Sequence, residues 1–391
     1  MKPVFRFPAL VSLLCCVLVG PAARGDAPPE LSPARCGMSE RRLAAIDRIV
    51  ADGIARKNMP GAVVVVGRRE GIVFRKAYGL RQIEPSPEPM TLDTVFDLAS
   101  LTKPLATGLA TMRLVQDGKV ALDAPVKTYL PEFTGDGRDA VTVRHLLTHT
   151  GGLSSGMSMM AFAEGVERAR ANVVTAKLAH PVGTKFVYSD TSFLILGELV
   201  ARVAGQPLDV YTRSTIYVPL GLRETGYRPD ATLRSRCAPT ERRGDAWMRG
   251  EVHDPRAWAL GGVAGHAGLF STADDLAVLA TALLRGGEFG GQRILDENSV
   301  RLMFSAQPLP EGGSRGLGWD KETGYSLNRG DLLTEAACGH GGFTGTALWI
   351  DPTLDLYVLF LSNRVHPDGK GLVNPLIGRV GTVAAAAIRE P

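Results

Sequence analysis

The sequence predicts an α/β (α+β) protein: an antiparallel sheet built from both termini, flanked by helices, with a mostly helical inserted domain. Short β-rich runs lie near each end of the chain, and the stretch between them is dominated by helical periodicity. At 391 residues, 45% hydrophobic and 21% charged, the chain can bury a sizeable core. Its 45 Gly and 25 Pro follow no short repeat, which excludes collagen-like, coiled-coil and low-complexity architectures. Intrinsic disorder is excluded by the same apolar content.

Lys2 and Arg6, an apolar stretch from Ala9 to Val19, and the small residues Ala23 and Gly25 read as an export signal over residues 1–25. The apolar stretch is too short to span a bilayer, and no later segment offers 18 uninterrupted apolar residues. An exported protein, periplasmic or secreted, is the expectation. Leu14 stands where a lipobox before Cys15 and Cys16 needs a small residue, which argues against lipidation. Removing Lys2, Arg6 and Arg24 lowers the formal charge from +4 to 41 basic against 40 acidic residues. So neutral a chain is no general binder of nucleic acid. Cys36, Cys237 and Cys338 remain, an odd number, so no disulfide framework is expected.

Ser39 to Arg56 places Leu43, Ile46, Ile49, Val50 and Ile54 on one helical face. Gly61 to Val66 and Ile72 to Tyr78 then read as an antiparallel hairpin with Gly71 at the turn. A second strand pair, Thr346 to Ile350 and Leu356 to Leu361, flanks Asp351 and Pro352. Helical patterning between the pairs covers Leu101 to Gln116, Val141 to Leu147, Phe193 to Val203 and Ala273 to Leu284. The Ala-rich run Val383 to Ile388 reads as a helix returning onto the sheet. One domain over 36–391 follows, with an α/β part at about 36–110 and 290–391 and a helical part at about 111–289.

The chemistry-bearing pattern is Ala99-Ser100-Leu101-Thr102-Lys103-Pro104. A hydroxyl and an amine three residues apart share one face of a helix, so the amine can reach the hydroxyl. Pro104 is tolerated only near a helix start, which leaves unpaired N–H groups beside that oxygen. A serine hydroxyl needs such an activating neighbour. Two later segments bear on the same chemistry. Tyr188, followed by Ser189 and Asp190, stands in a loop before the helix near Phe193, where its phenol can aim into a cleft. The stretch Gly339-His340-Gly341-Gly342-Phe343-Thr344-Gly345 precedes the strand from Thr346, and its glycines permit close approach of backbone or substrate.

With these three motifs in order, the chain resembles the serine β-lactamase and penicillin-binding-protein superfamily, in its class C-like branch with esterases and D-amino-acid peptidases. Leu146-Leu-Thr-His149-Thr-Gly-Gly-Leu153, Gly316-Leu-Gly-Trp319 and the Gly-rich run Gly261 to Thr272 fit the same resemblance, which covers about Ser39 to Ile388. It implies a β-lactamase/transpeptidase-like fold and no metal or organic cofactor. It further implies acylation of Ser100, with Lys103 helping to remove its proton and Tyr188 exchanging protons with the nucleophile and leaving group, either of the two being the base. The oxyanion would sit between the N–H groups of Ser100 and Phe343. Asp190, His340, Gly341 and Gly342 would contact the substrate, an ester, peptide or β-lactam. His340 stands where β-lactamases carry Lys, and Gly341 replaces a Thr, so the permanent charge and the hydroxyl that bind a substrate carboxylate are expected to be missing. Asp190 replaces an Asn, removing an amide donor and placing an anion against Lys103. These departures point to an esterase ahead of a D-alanyl carboxypeptidase, a weak β-lactamase or a catalytically silent peptide binder.

Other patterns compete. Gly152-Leu-Ser154-Ser-Gly156 matches a nucleophile elbow, with His340 or His366 as base, but no buried strand precedes it. His253, Asp254 and His266 lack the one-turn spacing of a helical metal pair and read as loop-holding polar residues. His149 reads as a backbone partner, Trp319 as packing or pocket lining, and Cys338 as a small buried hydrophobe.

Overall fold

The computed structural model describes residues 27–389; the expected export signal lies outside the described residues. The apolar runs at the two ends form one antiparallel sheet. Strands β1 (Gly61–Arg68) and β2 (Gly71–Gln82) come from the N-terminal side. Strands β3 (Cys338–Gly342), β4 (Thr346–Asp351) and β5 (Leu356–Ser362) come from the C-terminal side. Their order is β3-β4-β5-β1-β2, extended at either edge by two- and three-residue strands. β1 joins the two halves, pairing Ala62 with Ser362 and Val66 with Val358. Both faces of β1 are covered, so its sequence is a continuous apolar run and not an alternation.

Alternate residues face opposite layers. Val64, Val66, Trp349, Val358 and Phe360 pack against helices α1 (Ala45–Ala55) and α5 (Asn374–Ala386). Val63, Val65, Leu348, Leu359 and Leu361 face the larger cluster that holds α2 (Leu109–Gln116), α3 (Asp190–Ala204) and α4 (Ala273–Leu284).

Several expected elements change on folding. Ser39 caps a separate turn, Glu40–Leu43, before α1 begins at Ala45. The β1–β2 turn is Arg69-Glu70, and Gly71 is already in β2. The stretch Leu101 to Gln116 is three different helical turns: a 3-10 turn at Ala99–Leu101, a π-helix at Lys103–Gly108 and α2. α4 matches its expected limits but lies on β1 and β5, so it packs on the sheet and not in a separate helical layer. The glycine-rich run Cys338–Gly342 is itself a strand. α5 begins nine residues before Val383, because Gly381 admits the Arg329 carbonyl to where a Cβ would sit 2.7 Å away. Among the described residues no helix is long and apolar enough to cross a membrane.

Candidate active site

The nucleophile turn hangs from a small three-stranded sheet in which Phe96–Asp97 pairs with Leu269–Ser271, itself paired with Gly226–Tyr227. Asp97 is buried and its two oxygens accept from the Ala99 amide at 2.8 Å and the His253 amide at 2.7 Å. Ala99, the residue before Ser100, has φ +45°, a left-handed conformation that a non-glycine residue holds only under constraint. The Asp97 carboxylate supplies that constraint. Burial pushes its pKa up, against the pull of the two amides.

One turn on, Lys103 is completely buried. Its ammonium donates to Ser100 Oγ at 2.9 Å and to the His266 carbonyl at 3.3 Å, and lies 2.7 Å from Asp190 Oδ1. Three acceptors match three N–H groups. Burial by itself would lower the lysine's pKa, but Asp190 and Tyr188 outweigh it and hold it above the ordinary value. Asp190 is the first residue of α3, where the helix N-terminus favours its charge. Burial would raise its pKa, and Lys103 together with His266 pulls it below the usual carboxylate value.

Tyr188 precedes the N-cap Ser189, whose Oγ accepts from the Ser192 amide at 3.0 Å. Its ring lies 4.9 Å from Lys103 Nζ and is packed between His149 and Tyr325, at centroid distances of 4.8 and 4.7 Å. His149 Nδ1 accepts from the Ser189 amide at 3.0 Å, the backbone-holding role its sequence context suggested.

β3 forms the opposite wall. His340 donates from Nδ1 to the Gly341 carbonyl at 2.7 Å. Burial, Arg315 and Lys103 hold its pKa well below the ordinary value, so the ring is neutral. Gly341 lies against Asn328, and Gly342 lets the strand pass the nucleophile turn: a Cβ there would sit 2.4 Å from the Leu98 carbonyl. Thr344 and Thr346 tie the two segments together, donating to the carbonyls of Asp97 and Leu98 at 2.7 and 3.1 Å. Phe343, 58% exposed, is stacked on His253 at 5.5 Å and lies under the Arg364 guanidinium. All the residues expected at the site thus border one region, a cavity of about 580 Å³ that Ser100, Tyr188, Asp190, His340, Gly341, Gly342 and Phe343 line directly.

Four residues of this region escaped sequence analysis in their present roles. Arg315, fully buried in the cavity wall, pairs with Asp320 at 3.2 Å and lies over the Phe186 ring, and among the described residues its Nε and Nη2 have no hydrogen-bond partner. The expectation that the site lacks a permanent positive charge is therefore corrected: the charge comes from the short strand Ser314–Arg315, one strand removed from β3. Its only sequence signal was its position just before Gly316-Leu-Gly-Trp319. Asp97 had no signal beyond its nearness to Ser100. Asp254 caps the helix Pro255–Ala259 through the Arg256 and Ala257 amides, and its Oδ1 also receives His266 Nε2 at 2.9 Å. Both residues hold the loop as expected, and both also reach the cavity beside Asp190.

The rival patterns are not assembled. Ser154 donates to the Gly156 carbonyl at 3.1 Å. His366 accepts from the Ile83 and Glu84 amides and donates to the Thr240 carbonyl, a structural role that uses both ring nitrogens. Trp319 is fully buried against Phe304, and Cys338 is buried with its thiol beside Lys321.

Comparison with known proteins agrees with this geometry. The Beta-lactamase family model matches residues 46–381. An "N-acetylmuramyl-L-alanine amidase" of Bacillus subtilis (strain 168) is 35% identical, the alignment covering 84% of this chain and 82% of the relative. A "Putative D-alanyl-D-alanine carboxypeptidase" of Escherichia coli (strain K12) is 30% identical, covering 94% and 92%. Among solved structures, "EstCE1, a hydrolase with promiscuous acyltransferase activity" aligns with TM-score 0.71 at 25% identity, covering 88% of this chain and 99% of its own. A penicillin-binding protein homologue from Caulobacter crescentus aligns at TM-score 0.74 and 24% identity, covering 90% and 99%, which speaks for the fold. The chain belongs to the β-lactamase family and is a serine hydrolase of the β-lactamase/transpeptidase fold.

Proposed function

We propose that this is an exported hydrolase that cleaves esters through an acyl-enzyme on Ser100. The observation that carries the reading is the buried Lys103 ammonium, 2.9 Å from Ser100 Oγ and 2.7 Å from Asp190. Held protonated, Lys103 serves the nucleophile as a cation that stabilises the oxygen's developing charge. Tyr188 relays the proton: its phenol takes the proton of Ser100 as it gives its own to the leaving group, and the acyl–oxygen bond breaks. Water repeats the sequence to release the acid. The amides of Ser100 and Phe343 receive the carbonyl oxygen in both steps, each such donor being worth on the order of a hundredfold or more in rate.

Cleavage of a peptide or amide bond is a second reading. It is favoured by Arg315, which supplies a buried cation despite the neutral His340, and by relatives named as an amidase and as carboxypeptidases. Export rests on the N-terminal pattern alone and is tested by whether the protein fractionates with the periplasm or medium after removal of residues 1–25.

Intact-mass measurement tests the acyl-enzyme. Wild type and Ser154→Ala are expected to gain the acyl mass from an activated ester, and Ser100→Ala to gain none. A Ser100→Ala protein that still acylates overturns the reading. Exposure to a penicillin and to a D-Ala-D-Ala peptide in the same format separates the ester from the peptide reading.

A further inference from the structure

Gly339 and Gly341 stand two residues apart in β3, so both belong to the same face of the strand. Each omits a Cβ in favour of a specific neighbour. At Gly339 a Cβ would sit 2.1 Å from the Trp349 ring, and at Gly341 it would sit 2.5 Å from Asn328 Nδ2. The two neighbours are bonded to each other, Trp349 donating from Nε1 to Asn328 Oδ1 at 3.1 Å. An indole nitrogen can only donate, so the atom facing it is the amide oxygen and the orientation of the Asn328 amide is fixed. Its Nδ2 therefore holds two N–H groups over Gly341. Asn328 is 3% exposed and lines the cavity, and among the described residues Nδ2 has no acceptor. Unlike Arg315 Nε and Nη2, it is not sealed in protein, so a bound molecule can reach it. The turn that carries it is braced as well: Ser326 and Thr323 donate to the two oxygens of Asp320 at 2.7 and 2.8 Å. A donor held this rigidly, with no protein acceptor, is preorganised for a ligand oxygen.

We infer that Asn328 is a specificity-determining contact to the leaving group: Nδ2 donates to a carbonyl oxygen one carbon removed from the scissile oxygen, so that esters of α-hydroxy carbonyl compounds are preferred. The inference rests on the acyl-enzyme reading above and names the substrate class of that same site. Tyr188 fixes the side. It must give its proton to the leaving group, and Tyr325, three residues before Asn328, packs on its ring at 4.7 Å. Register fixes the distance. The Phe343 amide receives the oxygen of the attacked carbonyl, and Gly341 lies two residues back, at most about 7 Å along the chain. A leaving group of the form O–CH2–C=O fits that interval between the two donors. The absence of a threonine at 341 then has a physical reason, because its Cβ would collide with Nδ2. The hydroxyl is lost from β3, and an amide from another segment takes its place as donor.

The test compares acetonyl butanoate with isobutyl butanoate, whose leaving groups are alike in size and differ in one acceptor oxygen. Their intrinsic reactivities cancel when the acetonyl-to-isobutyl ratio of kcat/KM is compared between wild type and variant. At a pH well above the ordinary aspartate value, about 3.9, Asn328→Asp keeps the oxygen that accepts from Trp349 and turns the donor into an acceptor. The ratio is expected to fall about fivefold or more, the scale of one neutral hydrogen bond. Gly341→Ala changes no charge but sets a methyl 2.5 Å from Nδ2, which must swing aside, and the ratio should fall in the same direction. A role confined to bracing Trp349 predicts a ratio unmoved in Asn328→Asp. That result, with Ser100 still acylated, overturns the contact and leaves the acyl-enzyme reading intact. Should Asn328→Asp fail to fold, Gly341→Ala decides by itself, an unmoved ratio again overturning the contact. Absence of a Ser100 adduct with an activated ester would sink the proposed function itself.

Discussion

Replacing Asp190 by Asn isolates the electrostatics that hold Lys103. In the wild type the lysine is completely buried and its charge is matched at 2.7 Å. The pair's contribution to stability has a defined pH window. Lys103 has a raised pKa, so its share is fully present below the unfolded lysine value, about 10.4, and fades only as pH rises through the folded value. Asp190 has a lowered pKa, so its share is present above the unfolded aspartate value, about 3.9, and fades as pH falls through the folded value. Between those limits the pair makes stability nearly independent of pH. Asn is close in size but neutral, and it strands a buried ammonium. Breaking such a pair costs about 3–5 kcal/mol. For a chain of 391 residues that is a fall in Tm of roughly 4–6 °C. The sign of the pH dependence also changes. Without its counter-ion Lys103 is governed by burial, which favours the neutral amine, so the folded state binds fewer protons than the unfolded one and stability rises with pH. Thermal unfolding from pH 5 to pH 9 is the assay. An Asp190→Asn protein whose Tm stays flat or falls across that range would show that Lys103 keeps its proton without Asp190, and the argument that Asp190 is what holds the lysine's charge would fail.

Gly342→Ala places a methyl 2.2 Å from Thr346 Oγ1 and 2.4 Å from the Leu98 carbonyl, forcing β3 away from the nucleophile turn. Its kcat on an activated ester should fall about a hundredfold or more, as for loss of one oxyanion donor, whereas an unchanged kcat would place the oxyanion elsewhere. His340→Lys restores the residue β-lactamases carry but adds a cation to a buried wall that already holds Arg315 and Lys103. A lower Tm and no gain in penicillin hydrolysis, followed by absorbance, are expected. Burial pushes the thiols of Cys237 and Cys338 up to about 12 and about 11, so native protein treated with iodoacetamide at neutral pH should keep its ester-cleaving rate and show no alkylation at either residue.

The catalytic candidates were legible because their chemistry is written in short intervals. Ser100 and Lys103 are one helical turn apart, a spacing that lets Nζ reach Oγ, which it does at 2.9 Å. Tyr188 and β3 were legible as motifs, since a loop before a helix and a glycine-rich run before a strand are local features. Helix α4 and the paired strands at either end were equally plain in their periodicity. The glycine-rich strand β3 and the start of α5 were obscured by the same cause. Glycine reads locally as loop, and only the neighbour it admits, Leu98 at Gly342 or Arg329 at Gly381, explains why it stands inside an element.

Sequence by itself determined which residue types could do acyl transfer, their order along the chain, and the sheet assembled from both ends. Those properties are set by covalent spacing and by the apolar period, which act over a few residues. Tertiary structure alone decided the charge of the site. Asp254, His266 and Arg315 reach the cavity from separate segments, and Asp97 braces the nucleophile turn behind it. Whether the buried Lys103 is a base or a cation depends on the fold bringing Asp190 and Tyr188 within a few ångströms of it, where little water remains to screen them.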